Sequence, residues 1–224
     1  DAGVKSILSV IRRRAAFHSE DEMMLRARKD LRLDKDPSSH PVWRSEQVAL
    51  NCTQRLVRLA QETGARVHVL HITCEEEIRF LAAHKDVASC EITPHHLTMI
   101  APDCYRDLGT LAQMNPPVRE ARHRDALWWG ITQGVADVLG SDHAPHTLEE
   151  KAKPYPNSPS GMTGVQTLVP LMLDHVHAGR LTLERFVDLT SAGVARLFGL
   201  ATKGRIAVGY DADFTVVDLK RKQV

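Results

Sequence analysis

The chain has 224 residues, enough to bury a substantial core yet short of the roughly 250 that a closed eight-stranded α/β barrel needs. Twenty-nine Lys and Arg against 28 Asp and Glu leave a formal charge of +1, so no electrostatic argument favours nucleic acid or an anionic membrane, and a small, locally recognised ligand is the expected partner. Cys52, Cys74, Cys90 and Cys104 form no Cys-x-x-Cys pair, which argues against both a zinc ribbon and a disulfide framework and predicts a reducing, cytoplasmic setting, and no apolar stretch approaches the ~18 residues of a membrane span.

In chain order, apolar Val4, Ile7, Leu8 and Ile11 predict a helix over Val4 to Arg13, followed by a short strand, Ala15 to Phe17, that stops at His18. The amino terminus carries neither a signal-peptide pattern nor an initiator Met. Residues 30–45, charged and holding Pro37 and Pro41, read as a loop, and a helix from Ser45 to Glu62 is expected to stop at Gly64. A strand from Arg66 to Ile72 carries His71; a helix, Glu75 to His84, and a strand, Ala88 to Thr93, then lead into Pro94-His95-His96. After the segment Met114-Asn115-Pro116-Pro117-Val118-Arg119, a helix from Arg122 to Gln133 and the apolar run Val135 to Leu139 precede Gly-Ser-Asp-His-Ala-Pro-His, residues 140–146. Strands alternating with helices at this spacing predict an α/β fold with a parallel sheet and crossover helices. Beyond a Pro- and Gly-rich loop, residues 153–164, helices are expected over 164–178 and 182–198, and the tail 204–218 reads as two short strands about a Gly-Tyr-Asp turn.

Three of the four strands deliver a candidate ligand at their carboxyl ends: His18, His71 and Asp142. Such separations are far too long for a local zinc finger, and only a fold that gathers strand ends can unite them. Two neutral imidazoles and a carboxylate suit a borderline cation such as Zn²⁺, whose bound water ionises near neutral pH. Each residue has a plainer reading: His18 as a surface histidine before a helix, His71 as a core histidine, Asp142 as a helix cap, His95 and His96 as the opening of a helix. Recurrence at one structural position, strand end after strand end, favours the shared site.

Ser-Asp-His-Ala-Pro-His-Thr-Leu-Glu-Glu-Lys (141–151), Glu-Ile-Thr-Pro-His-His-Leu (91–97), Met-Asn-Pro-Pro-Val-Arg (114–119) and Phe-His-Ser-Glu-Asp (17–21) together resemble the dihydroorotases of the amidohydrolase superfamily. The tail Gly-Arg-Ile-Ala-Val-Gly-Tyr-Asp-Ala-Asp is similar to that superfamily's carboxyl-terminal β segment. The resemblance implies the part of a (β/α)₈ barrel around its fifth to eighth strands over residues 1–200, and a β segment of a small composite domain over 201–224. It also implies reversible, metal-dependent cyclisation of N-carbamoyl-L-aspartate to dihydroorotate, with Zn²⁺ as cofactor, two ions per intact site. His18 and His71 would then bind metal. Asp142 would bind metal and act as general base and acid, while Asn115, His146 and the loop at Ser160-Gly161 would contact substrate. His95 and His96 belong to the motif but are not implied ligands. Self-assembly or a complex with aspartate transcarbamoylase is the implied partnership.

The family also uses a His-x-His on the first strand and a bridging Lys or Asp on the fourth, and neither is found here. The chain therefore reads as a carboxyl-terminal portion, expected to be inactive alone. Allantoinase and hydantoinase are the neighbouring alternatives, and a non-catalytic relative that holds aspartate transcarbamoylase is the alternative of another class. Ala144-Pro145-His146 and Asn115-Pro116-Pro117 favour dihydroorotase, because a histidine and an amide suit a substrate bearing a carboxylate.

Overall fold

The structure, a computed structural model, describes residues 1–221. Four short strands form one sheet: β1 (Ala15–Phe17), β2 (Val67–Val69), β3 (Ala88–Ile92) and β4 (Val138–Leu139). All pairings are parallel, and the spatial order is the sequence order. Sequential parallel order is that of a segment of a (β/α)₈ barrel, and among the described residues the sheet shows no reversal of order of the kind that marks a doubly wound switch point.

Side-chain alternation divides each strand between two faces. Val67, Val69, Ala88 and Cys90 are fully buried and belong to the apolar cluster formed with Leu56, Ala60, Ile78, Leu81, Leu127 and Ile131 of the crossover helices. His68, between two of those valines, turns to the other face, where Nδ1 meets Ser89 Oγ at 2.8 Å and Nε2 meets Glu91 Oε2 at 3.2 Å. A buried imidazole is tolerated there because both ring nitrogens have partners.

Four helices around the sheet lie where the pattern placed them. Helix Ala2–Val10 precedes β1, Glu46–Thr63 leads to β2, Glu75–Ala82 joins β2 to β3, and Ala121–Thr132 precedes β4. Gly64 stops the second of these in the left-handed region, φ 70°, which glycine adopts without steric cost. Glu75, Glu76 and Glu77 crowd the first turn of the third, where carboxylates complement the helix dipole. Among the described residues no helix is long and apolar enough to cross a membrane.

Three expectations change. The 30–45 segment is not a plain loop: short 3₁₀ turns at Lys29–Leu31 and Pro37–Ser39 and a helical turn at His40–Trp43 fold it against the site. The helix read over 182–198 is broken into Leu183–Val187, a π turn at Asp188–Ala192, and Gly193–Phe198. A Cβ on Gly193 would sit 2.5 Å from the Asp188 carbonyl oxygen and 3.2 Å from that of Asp137, so the wide turn accommodates close backbone approach to the lead-in of β4. Finally, the two strands read between residues 204 and 218 do not form; Val208 and Val216 stand exposed. An isolated two-stranded ribbon is marginal in water, and among the described residues no third strand supports it. Contacts of Thr202 and Lys203 with Asp211 still close the turn. The last three residues of the 201–224 segment lie outside the described residues.

Candidate active site

Because the strands are parallel, the residues that follow them emerge on one edge. His18 follows β1 directly and His71 comes two residues after β2, whose Val69 is in register with Phe17. The imidazoles meet edge to face, centroids 4.8 Å apart, with His18 Nδ1 3.1 Å from His71 Nε2. His71 is buried, whereas the His18 side chain is 43% exposed. Both His71 (φ 36°) and Asp142 (φ 43°) have left-handed backbone, a region that non-glycine residues enter only where the surroundings impose it. The strain falls on two of the three strand-end candidates.

His18 has a support not read from the sequence. Its Nε2 lies 2.9 Å from Glu20 Oε2, and Glu20 is gripped by Arg44 through Nε (3.0 and 3.1 Å) and Nη2 (2.6 Å). Burial opposes ionisation of Glu20, but hydrogen bonds from His18 and Arg44 outweigh it and hold the carboxyl down at about 2. An ionised Glu20 can only accept, so His18 Nε2 carries a proton toward it and Nδ1 is the nitrogen offered to His71 and the site. Arg119 extends the support: Nη1 donates to the Arg44 carbonyl oxygen at 2.8 Å and Nε to Thr73 Oγ1 at 3.0 Å. The signal for Glu20 lay in its spacing, two residues after His18; Arg44 lies 24 residues further on and had none.

These two histidines suit a cation. A tetrahedral ion with Zn–N bonds of ~2.0–2.1 Å separates adjacent nitrogens by about 3.3 Å, close to the spacing present. Burial, reinforced by repulsion from His18, lowers the pKa of His71, and Asp142 opposes that shift. The neutral imidazole that results is the ligating form. His71 Nδ1 is buried without a hydrogen-bond partner, the kind of loose end a bound group or rearranged tautomer resolves. A carboxylate behind a ligating histidine, as Glu20 stands behind His18, fixes its tautomer and raises its basicity. Among the described residues, however, no group of three or more His, Cys, Asp or Glu side chains is set to hold a metal. The structure joins His18 with His71 and leaves Asp142 outside a three-donor cluster.

The other residues named from sequence lie in the segments that follow β3 and β4. His143 forms a bridge with Met162, and its Nδ1 accepts from the Gly164 amide at 3.0 Å. His146 Nε2 lies 3.3 Å from the Ser160 carbonyl oxygen, tying the 140–146 segment to the 153–164 loop. Gly161 is committed on both sides: its N–H donates to the Gln113 carbonyl oxygen (2.9 Å) and its own carbonyl accepts from Lys151 Nζ (3.0 Å). A Cβ there would lie 2.6 Å from the Ala144 carbonyl oxygen, and φ is +144°, so only glycine fits. Ser160 Oγ accepts from Gln113 Nε2 at 3.0 Å. Asn115 Oδ1 is 2.9 Å from His40 Nε2. His95 and His96 serve the scaffold: His95 Nε2 reaches the Thr163 carbonyl oxygen at 2.8 Å and His96 Nε2 that of Pro116 at 3.1 Å.

Comparison with known proteins agrees with this architecture. The amidohydrolase family model matches residues 38–223. Dihydroorotase of Halobacterium salinarum is 41% identical over 201 residues, covering 90% of this chain and 46% of that protein. Dihydroorotase of Methanosarcina mazei is 36% identical, covering 93% and 48%. L-Hydantoinase (dihydropyrimidinase) from Arthrobacter aurescens superposes with a TM-score of 0.84 at 32% identity, covering 88% of this chain and 46% of its own. Dihydropyrimidinase from Brevibacillus agri gives 0.86 at 26%, covering 95% and 50%. The chain thus spans about half the length of the relatives it matches. With four parallel strands, paired strand-end histidines and a family match over most of its length, the chain belongs to the amidohydrolase family.

Proposed function

We propose that the protein containing this chain is a dihydroorotase, interconverting N-carbamoyl-L-aspartate and dihydroorotate. The observation that carries the reading is the convergence of His18 and His71 at 3.1 Å from neighbouring strand ends. Both curated relatives described above bear the dihydroorotase name. His18 and His71 would hold Zn²⁺, with Glu20 and Arg44 keeping His18 oriented. When bound, the ion supplies Lewis acidity at the amide carbonyl and a nucleophilic hydroxide near neutral pH. Asp142 carries the proton between the attacking oxygen and the ring nitrogen as the amide C–N bond breaks, and returns it in the cyclising direction. Asn115, His146 and the Ser160-Gly161 loop orient the ring and its carboxylate. In this reading the complete centre takes two ions and further donors, and the 224-residue chain assayed alone with Zn²⁺ shows no turnover. The tail is assigned to the small β domain.

The superposition on hydantoinases favours a second reading, hydrolysis of a related cyclic amide. Purified protein carrying this chain, supplied with dihydroorotate, allantoin and a hydantoin in competition, separates the two. Preference for dihydroorotate is expected, and preference for a hydantoin overturns the first reading. Asp142→Asn is expected to lower kcat by at least about a hundredfold while metal content is retained. A rate near that of the parent removes Asp142 from proton transfer.

A further inference from the structure

Asn115 does not choose its own orientation. His40, in the helical turn His40–Trp43, is 1% exposed and lies 75 residues away in sequence. Its Nε2 sits 3.1 Å from the Met114 carbonyl oxygen and 2.9 Å from Asn115 Oδ1, while Nδ1 sits 3.3 Å from the Tyr155 hydroxyl. A backbone carbonyl can only accept, so the nitrogen facing Met114 must carry hydrogen, and an amide oxygen rather than an amide N–H must share it. The ring is kept from turning by Trp43 and Tyr155, which meet it edge-on at centroid distances of 5.9 and 5.7 Å. Burial, with the nearby Arg44 charge, pulls the pKa of His40 down to about 4, so the ring is neutral and Nδ1 accepts from Tyr155. One tautomer satisfies every neighbour.

We propose that Tyr155 and His40 form a positioning clamp that consumes Asn115 Oδ1 and leaves the site facing only the two N–H donors of the amide. Among the described residues Asn115 Nδ2 makes no hydrogen bond, so both donors remain for a ligand. This rests on the reading of Asn115 as a substrate contact and deepens it. A clamped amide selects an oxygen acceptor, a ring carbonyl or carboxylate, and rejects a ligand that offers an N–H at that point, because two facing donors leave both unpaired. A free asparagine would flip and accept either. His40 and Tyr155 thus act through Asn115 and are specificity-determining without touching substrate.

The test uses full-length protein containing this chain. The Asn115 side-chain NH₂ pair is identified in ¹⁵N–¹H spectra by its loss in Asn115→Ala. In His40→Phe that pair is expected to shift and broaden as the amide gains a second orientation, and His40→Gln, which can still donate, is expected to restore it. With dihydroorotate, His40→Phe and Asn115→Ala should each raise KM about fivefold with little change in kcat, the worth of one neutral hydrogen bond. The double variant should be no worse than Asn115→Ala alone. An unmoved Asn115 signal in His40→Phe, or KM losses that multiply in the double variant, overturns the clamp. If His40→Phe does not fold, Tyr155→Phe removes one hydroxyl, and the same signal should shift. Wild-type protein that fails to turn over dihydroorotate overturns the functional reading, while the amide signal still decides the clamp.

Discussion

Removing the Glu20 carboxylate gives the sharpest test of the electrostatics behind the paired histidines. Its side chain is 1% exposed and that of Arg44 11%, so truncation to Ala leaves a largely buried guanidinium without its carboxylate. Breaking a buried ion pair by deleting one partner costs about 3–5 kcal/mol, most of it the uncompensated charge. For a chain of this size that is a fall in Tm of roughly 6–20 °C. Differential scanning calorimetry on the parent, Glu20→Ala, Arg44→Met and the double variant checks it, the double being expected to recover part of the loss. The sign with pH follows from the depressed carboxyl. Its contribution is complete above about 4.5 and is lost as pH falls toward about 2, so the gap between parent and Glu20→Gln should close over that interval. A Tm within 2 °C of the parent for Glu20→Ala at pH 7, or a gap that widens in acid, would refute the reasoning.

Gly130→Ala should destabilise by about 1–3 kcal/mol although alanine is the better helix former, because the new Cβ meets Ile78 Cγ1 at 2.5 Å between two core helices; urea unfolding measures it. Lys151→Met should cost about 2–4 kcal/mol and expose the 153–164 loop to proteolysis, since its ammonium bonds the carbonyl oxygens of Gln113, Pro159 and Gly161, all at 3.0 Å. Buried His40 and His96 have pKa values lowered to about 4 and about 3 by burial, so the unfolded chain binds more protons below 6.5. Stability should therefore fall as pH drops from 6.5 toward 4, and His96→Gln, followed by chemical denaturation across that range, should flatten the slope.

What the chain makes legible is local. Gly64 marks a helix stop because only a residue free of a Cβ turns left-handed there cheaply, and the valines around His68 announce a strand by alternation. Strand length is less legible. The stretch from Arg66 to Ile72 reads as one strand, but the regular ladder stops at Val69; Leu70 and Ile72 still donate to the carbonyl oxygens of Phe17 and Glu91 on either side of His71, whose φ is positive. The strand-end histidines could be read from position and Glu20 from its spacing after His18, whereas the partners that hold Glu20 and Asn115 could not. Glu20 to Arg44 and His40 to Asn115 are contacts between residues 24 and 75 positions apart, made by charge and hydrogen bonding with no periodic pattern. The π turn at Asp188–Ala192 likewise answers to backbone crowding against β4, a tertiary demand no helical periodicity encodes.

The commitment of both backbone groups of Gly161, together with the Lys151 ammonium beneath it, makes that rim a template rather than a lid. If ligand meets the Ser160-Gly161 loop as proposed, it meets a contour already fixed by these bonds, so binding there forfeits little chain freedom.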